Sequence, residues 1–330
     1  MPGLADRLDD LQRRRRALGF PLGVVYKFFD DQGNYLAAII TYYAFIAIFP
    51  LMLIASSVLG FLLQGDDELR DQLLSSALGQ FPIVGTQLGR PGGLQGSASA
   101  VVVGALTALY GVTGLGQAAQ NALNVAWAIP RNIRLNPLHS RLISLFLLMV
   151  GGLSVLVVAI LPSLTGQMGV FGSNIVVQWL VSLASIVLTA VVLSVMMNLA
   201  TAERHRLTTV LPGGVAIAVM WHLLQLLGGI YVSRIVNRVS EMNGVFALVL
   251  GLVALLYVAG VMAILGIQLN VVLAKHLYPR ALLTPFTDDV ELTDADRRVY
   301  TEYAQAQRHK GFERVRVTFE PDTDAPADGG

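Results

Sequence analysis

Four side-chain amides, Gln117, Gln120, Asn121 and Asn124, recur at i, i+3, i+4 and i+7 in the run GLGQAAQNALNVAW. On a helix that spacing puts all four on one face. The chemistry open to such a face is hydrogen bonding without charge, since each amide can donate and accept several bonds. It can wall a polar pathway that holds a head group or water. It can equally bond neighbouring helices, at about 1 kcal/mol per contact. Both readings stay open, because Gly114, Gly116, Ala118 and Ala119 also favour close helix packing. Other neutral polar groups sit in separate apolar segments: Tyr42 with Tyr43, Asn198, and His222 with Gln225 one turn later. His222 reads either as a proton relay or as a neutral ring bonded to a neighbouring helix. These nine residues are the candidate substrate pathway. Tyr257, Gln268 and Asn270 belong to the last apolar segment, the latter two near its end, where an interfacial position suffices to explain them.

Arginines form a second set. Arg131 and Arg134 follow Pro130, and Arg234 and Arg238 lie in YVSRIVNR. Guanidinium groups at the ends of apolar segments suit lipid phosphate, whether of a transported lipid or of the bilayer itself. Enzyme chemistry finds little support. The histidines (His139, His205, His222, His276, His309) form no HxxxH pair, and there are no cysteines. Neither a phosphate-binding GxxxxGK[ST] loop nor a Gly-x-Ser-x-Gly elbow occurs. No catalytic residue, metal or cofactor is therefore expected.

The elements that hold these residues are apolar helices. Of 330 residues 54% are hydrophobic and 14% charged, against about 25% charged in a soluble domain. From Asp71 to Glu203 there is no intervening Asp or Glu, and from Glu203 to Asp288 only Glu241. Lipid-facing helices exclude carboxylates because burying an ion is costly. Six apolar segments, about 35–63, 98–128, 142–161, 175–200, 208–232 and 245–272, approach or exceed the roughly 20 residues that span a bilayer. Pro50 should kink the first, and Pro212 falls near the start of the fifth, where a missing N–H costs nothing. Of the 23 Lys and Arg, all but Arg70, Arg90, Arg234 and Arg238 fall on one side of such a six-span arrangement. That bias predicts cytoplasmic N- and C-termini.

Residues 1–30 carry Leu4, Leu8, Leu11, Leu18 and Val25 on one stripe, with Arg13 to Arg16 on the opposite side, suited to lipid phosphates or to a soluble cytoplasmic helix. This predicts an amphipathic helix on the cytoplasmic leaflet, interrupted before Pro21. Residues 31–280 make the transmembrane domain, with a long 65–97 connection whose first half reads as an amphipathic helix. Residues 281–330 form a polar tail with a charged helix over 288–310, an extended piece over 314–319 and a disordered end. The expected architecture is an all-α polytopic bundle.

Residue runs throughout this arrangement resemble the YihY/BrkB family of bacterial inner-membrane proteins: DDQGNYLAAIITYYAFIAIFPLML, NALNVAWAIPRN, LPGGVAIAVMWHLLQLLGGIYVSR and LGIQLNVVLAKHL. The resemblance covers roughly residues 20–280. It marks Ala37, Ala38, Tyr42, Tyr43, Pro50, Asn124, Trp127, Pro130, Pro212, Gly213, Tyr231, Ser233, Arg234, Gly266 and Asn270 as family-signature positions. Ala47 departs from it, where many members have Ser. The family's ribonuclease label does not transfer, since a metal-dependent nuclease needs clustered His and Asp. What the resemblance implies is a link to virulence and movement of lipids or lipid-linked precursors across the inner membrane. The expected function is thus a transporter or flippase for an amphipathic substrate, and the alternative is a non-transporting envelope scaffold. Membrane lipids are the expected partners, with a homo-oligomer or envelope-assembly proteins besides. The net charge of +1 offers no basic field for nucleic acid.

Overall fold

The structure, a computed structural model, describes residues 9, 11–62, 98–167, 174–234, 241–284 and 290–319. Helix and connecting turns make up all of it, and no strand occurs among the described residues. The helices are α1 (Arg16–Asp30), α2 (Gly33–Leu62), α3 (Ala98–Ala126), α4 (Pro137–Gln167), α5 (Ile175–Ala200), α6 (Leu207–Arg234), α7 (Glu241–Lys275) and α8 (Asp294–Ala306), with a 3-10 turn at Arg131–Ile133. Near-continuous Leu, Val, Ile and Ala make up the long helices, and side chains cap three of the described helices, Asn136 accepting from His139 N (2.8 Å) at the start of α4. Asn174 accepts from Val176 N at the start of α5, and Thr293 with Asp296 forms a capping box at the start of α8.

Helices α2 to α7 pack side by side in chain order, and α7 returns to α2, closing a ring. α3 also touches α5 and α7, and Ala118, Gln120, Ala122, Leu123, Asn124, Ala126 and Trp127 are buried. Its last turns therefore fill the middle of the ring at one end. That end, called basal below, also carries α1 on one side of α7, the α3–α4 and α5–α6 links, and α8. Burial is lopsided along the axis. The described buried residues of α4 are Ser144 and Leu147; those of α5 are Ala190, Ser194, Met197 and Ala200; those of α6 are Val210, Gly213, Gly214 and Ala218. All lie in the basal part of their helices, and the described distal side chains are half-buried or exposed.

Four stretches are long and apolar enough to cross a membrane: Pro137–Val155, Ile175–Ala200, Leu207–Gly228 and Val249–Lys275. Gly33–Ile48 is a shorter apolar stretch of the same kind. The chain is thus a helical membrane protein. α2 is helical through Pro50. The side chain of Pro50, the 65–97 connection and the last eleven residues lie outside what is described.

Three local expectations are corrected. α1 runs straight through Pro21, and the break falls at Arg15, whose backbone is extended (φ −110°, ψ 101°). The tail helix begins only at Asp294, where the Thr293 capping box fixes its start. Pro212 lies inside α6, past the first turn, so its missing N–H interrupts the helical ladder.

Candidate functional site

The amide face of α3 divides. Gln120 is buried against α4, donating from Nε2 to Ser140 O (2.9 Å) and Ser144 Oγ (3.0 Å) and accepting from Ser140 Oγ (2.9 Å). Asn124, also buried, accepts from the backbone N of Ala202 (3.2 Å) in the α5–α6 link. Gln120 thus bonds helix to helix, and Asn124 bonds α3 to the α5–α6 link. Asn121 is exposed and accepts a long bond from Arg134 Nη1 (3.4 Å), and Gln117 is half-buried. Arg134 also donates from Nε to Ile129 O (3.1 Å), so it closes the end of α3, while Arg131 is exposed. Asn198 accepts from the backbone N of His205 (2.9 Å) and shapes the α5–α6 link.

The remaining expected pathway residues lie away from that packed end. Tyr42 is exposed and stacks edge-on against Tyr43 (ring centroids 5.1 Å), which lies 5.9 Å from Tyr110 of α3. Gly114 leaves the space that the Tyr43 ring fills. His222 and Gln225 are half-buried on α6. Arg238 and the side chain of Arg234 fall outside the described residues.

Four of the positions marked by the resemblance meet at one place. Pro212 disrupts the ladder of α6, and Asn270 of α7 repairs it. Its Oδ1 accepts from Gly213 N (2.6 Å) and its Nδ2 donates to Val210 O (2.9 Å). Gly213 and Gly266 allow the close backbone approach this requires. Asn270 is a repair group inside the bundle, more than the interfacial position explained.

Basal to these contacts lies a set of charges that residue patterns left unnoticed. Asp31, directly after α1, is fully buried and accepts four bonds. Lys27 Nζ donates to both oxygens (2.6 and 2.5 Å), Gln268 of α7 to Oδ2 (2.6 Å), and Tyr303 of α8 to Oδ1. Lys27 Nζ also lies over the Tyr303 ring, 4.8 Å from its centroid. Next to it Arg280 pairs with Asp30 (3.0 Å) and with Asp296, the latter also accepting from Ala281 N (3.0 Å). Burial pushes the Lys27 ammonium below the usual lysine range, and the facing Asp31 carboxylate opposes that shift. Burial raises the Asp30 carboxyl, partly offset by Arg280. Burial also pushes the Tyr303 phenol far up, with Asp31 adding to it. One cluster thus ties α1, a membrane helix and the tail helix together. The sequence signals were the i, i+4 spacing of Lys27 and Asp31, and Gln268 at the end of an apolar run.

A second fastening lies across the base. The Trp127 ring stacks on His205 (centroids 3.7 Å, 22° between planes), and Lys275 donates to Trp127 O (2.8 Å) while pairing with Glu302 (2.8 Å). His205 Nε2 is buried without a partner among the described residues. Burial pulls the His205 pKa below its ordinary 6.5, helped by Lys275 and opposed by Glu203. A histidine depressed in the fold is neutral there while the unfolded chain takes up a proton. The stacking contribution is therefore complete above pH 6.5 and is lost as pH falls from 6.5 through the lower folded value. Acidification across that window should lower the melting temperature and quench Trp127 emission, and His205→Phe should remove both responses. An unchanged pH profile in that variant would refute the assignment.

These contacts can hold, fasten and orient, and among the described residues no group of His, Asp and Glu is arranged to bind a metal. The comparisons agree with the helical membrane reading. The sequence model of one family, described as virulence factor BrkB, matches residues 24–288. No curated protein and no solved structure matches the chain. The match spans most of the chain, taking in α2 to α7 and the end of α1, and the chain belongs to the virulence factor BrkB family.

Proposed function

We infer that this protein is a six-span inner-membrane transporter or flippase for an amphipathic, lipid-class substrate. The observation that carries the reading is the lopsided packing of α4, α5 and α6. Their buried residues collect at the basal end, and the distal parts are only partly covered. On α6, Leu223, Leu226 and Leu227 make an exposed apolar stripe, and Trp221, His222 and Gln225 lie off it, half-buried. Apolar helix surface beside half-buried neutral hydrogen-bonding groups suits a molecule with a polar head and an apolar tail. Apart from Arg141 in the second turn of α4 and residues at helix ends, the six long helices carry no Asp, Glu, Lys or Arg, which ion carriers would ordinarily place in their interiors. The charge bias makes the basal end cytoplasmic, so the partly covered end would face outward.

The test is movement of fluorescent phospholipid between leaflets of reconstituted vesicles, followed by chemical quenching from outside. Movement faster than in empty vesicles is expected. His222→Leu/Gln225→Leu should slow it about tenfold, the effect of losing roughly 1.4 kcal/mol of polar contact. Rates equal to those of empty vesicles across several lipid classes would overturn the reading. One observation favours the scaffold alternative: Gln120 and Asn124, the buried half of the amide face, are spent on bonds to α4 and to the α5–α6 link.

A further inference from the structure

α1 buries Val24, Tyr26 and Phe28 against the bundle, yet its outward face is apolar as well. Its charged Lys27 is buried, at 1% exposure. The described side chains it exposes are all apolar: Ala17, Leu18, Pro21, Val25 and Phe29. Leu18, Val25 and Phe29 recur at intervals of seven and four, so they form one ridge pointing away from the bundle. Leu11, in the helical stretch before the Arg15 break, is exposed as well. A helix facing water would carry polar side chains on that outward face.

We propose that this ridge is embedded in the acyl boundary of the bilayer leaflet at the basal end, with Arg14 and Arg15 on anionic lipid phosphates. Two observations select lipid as the occupant. Arg14 and Arg15 are exposed next to the first turn of α1, where a guanidinium can reach a phosphate while the ridge enters the chains. The ridge also leads directly into an exposed membrane-helix face. After the turn at Asp31 and Gln32, α2 exposes Tyr35, Ile39 and Tyr42. Phe29 and Tyr35, on either side of that turn, are each 65% exposed, and aromatic rings at such a level suit the membrane interface. The buried Lys27–Asp31–Tyr303 cluster fixes the roll of α1, so the apolar arc must face away from the tail.

The absence of cysteine makes the test direct. Leu18→Cys, Val25→Cys and Phe29→Cys in the full chain are labelled with an environment-sensitive fluorophore, with Lys310→Cys on the exposed tail as reference. The proteins are reconstituted in phosphatidylcholine vesicles with and without phosphatidylglycerol. Spin-labelled lipid should quench the three ridge positions about threefold or more beyond iodide, as expected of a helix seated in the acyl boundary, and the reference position should show the opposite order. Arg14→Gln/Arg15→Gln should lower the preference for spin-labelled phosphatidylglycerol over phosphatidylcholine, by about fivefold per arginine. Iodide quenching as strong on the ridge as at position 310 would put the ridge in water and overturn the proposal. Protection from both quenchers, with disulfide cross-linking between copies of Val25→Cys, would make it a subunit interface and overturn it equally.

Discussion

Replacing Asp31 with Asn should cost about 3–5 kcal/mol, the usual penalty for leaving a buried charge without its partner. The Lys27 ammonium faces both Asp31 oxygens at 2.5–2.6 Å, with both side chains essentially inaccessible to water. An amide in place of the carboxylate keeps one accepting oxygen, for Gln268 or Tyr303, and sets a donor against the other, so the loss combines the missing charge with at least one lost hydrogen bond. The matching variant, Lys27→Met/Asp31→Asn, removes the stranded cation and should recover more than half of the stability. Thermal unfolding in detergent, read by fluorescence-detected gel filtration, measures both. A single variant within about 1 kcal/mol of the parent, an ordinary surface effect, would show that water reaches Lys27. Loss of the cluster should also release α8, whose Tyr303 is held there, so protease cleavage within 294–306 should quicken in Asp31→Asn and not in the double variant.

Gly213→Ala is expected to be the most damaging single methyl in the described bundle. A Cβ there would fall on the carbonyl oxygen of Gly266 and on the Asn270 side chain that repairs the Pro212 break. Alanine favours helix by about 1 kcal/mol over glycine, but a clash against backbone cannot be relieved by a rotamer change. Overpacking of this kind costs about 1–3 kcal/mol and occasionally more. Disturbing Asn270 would further break its bonds to Gly213 N and Val210 O, at about 0.5–1.5 kcal/mol each. Gly152→Ala in α4 is the control. A Cβ there meets nothing within 4 Å, so it should be neutral or gain up to about 1 kcal/mol. Equal melting temperatures for the two variants would show that α6 and α7 are not in the close contact described.

Much of the architecture was legible in the residue order because hydropathy and length are local properties. The six apolar segments overlie α2 to α7 with ends shifted by up to six residues, whereas the charge pattern starts the tail helix too early because it does not register the Thr293 cap. The family signature was equally local. Legibility stopped where a residue's role depends on a partner far along the chain. Gln117 to Asn124 form one face by spacing, yet only the neighbouring α4 and the α5–α6 link decide that Gln120 and Asn124 are spent on packing. The charged cluster was missed because Lys27, Gln268, Arg280 and Tyr303 look like ordinary interfacial or tail residues. What joins them is the fold of α1 and α8 against the base of α7.

α1 shows the same division. Spacing predicts that Leu11, Leu18 and Val25 share a stripe. Which way that stripe faces follows only from where Lys27 finds Asp31 and Tyr303. The sequence alone determined a helical membrane chain and its polarity of charge, because transfer from water to lipid acts residue by residue. Tertiary structure alone decided which amides are packing, which end is closed and where buried ions pair. Those outcomes depend on hydrogen-bond partners on other elements, from 20 residues away for Gln120 and Ser140 to 272 for Asp31 and Tyr303, which no local pattern encodes.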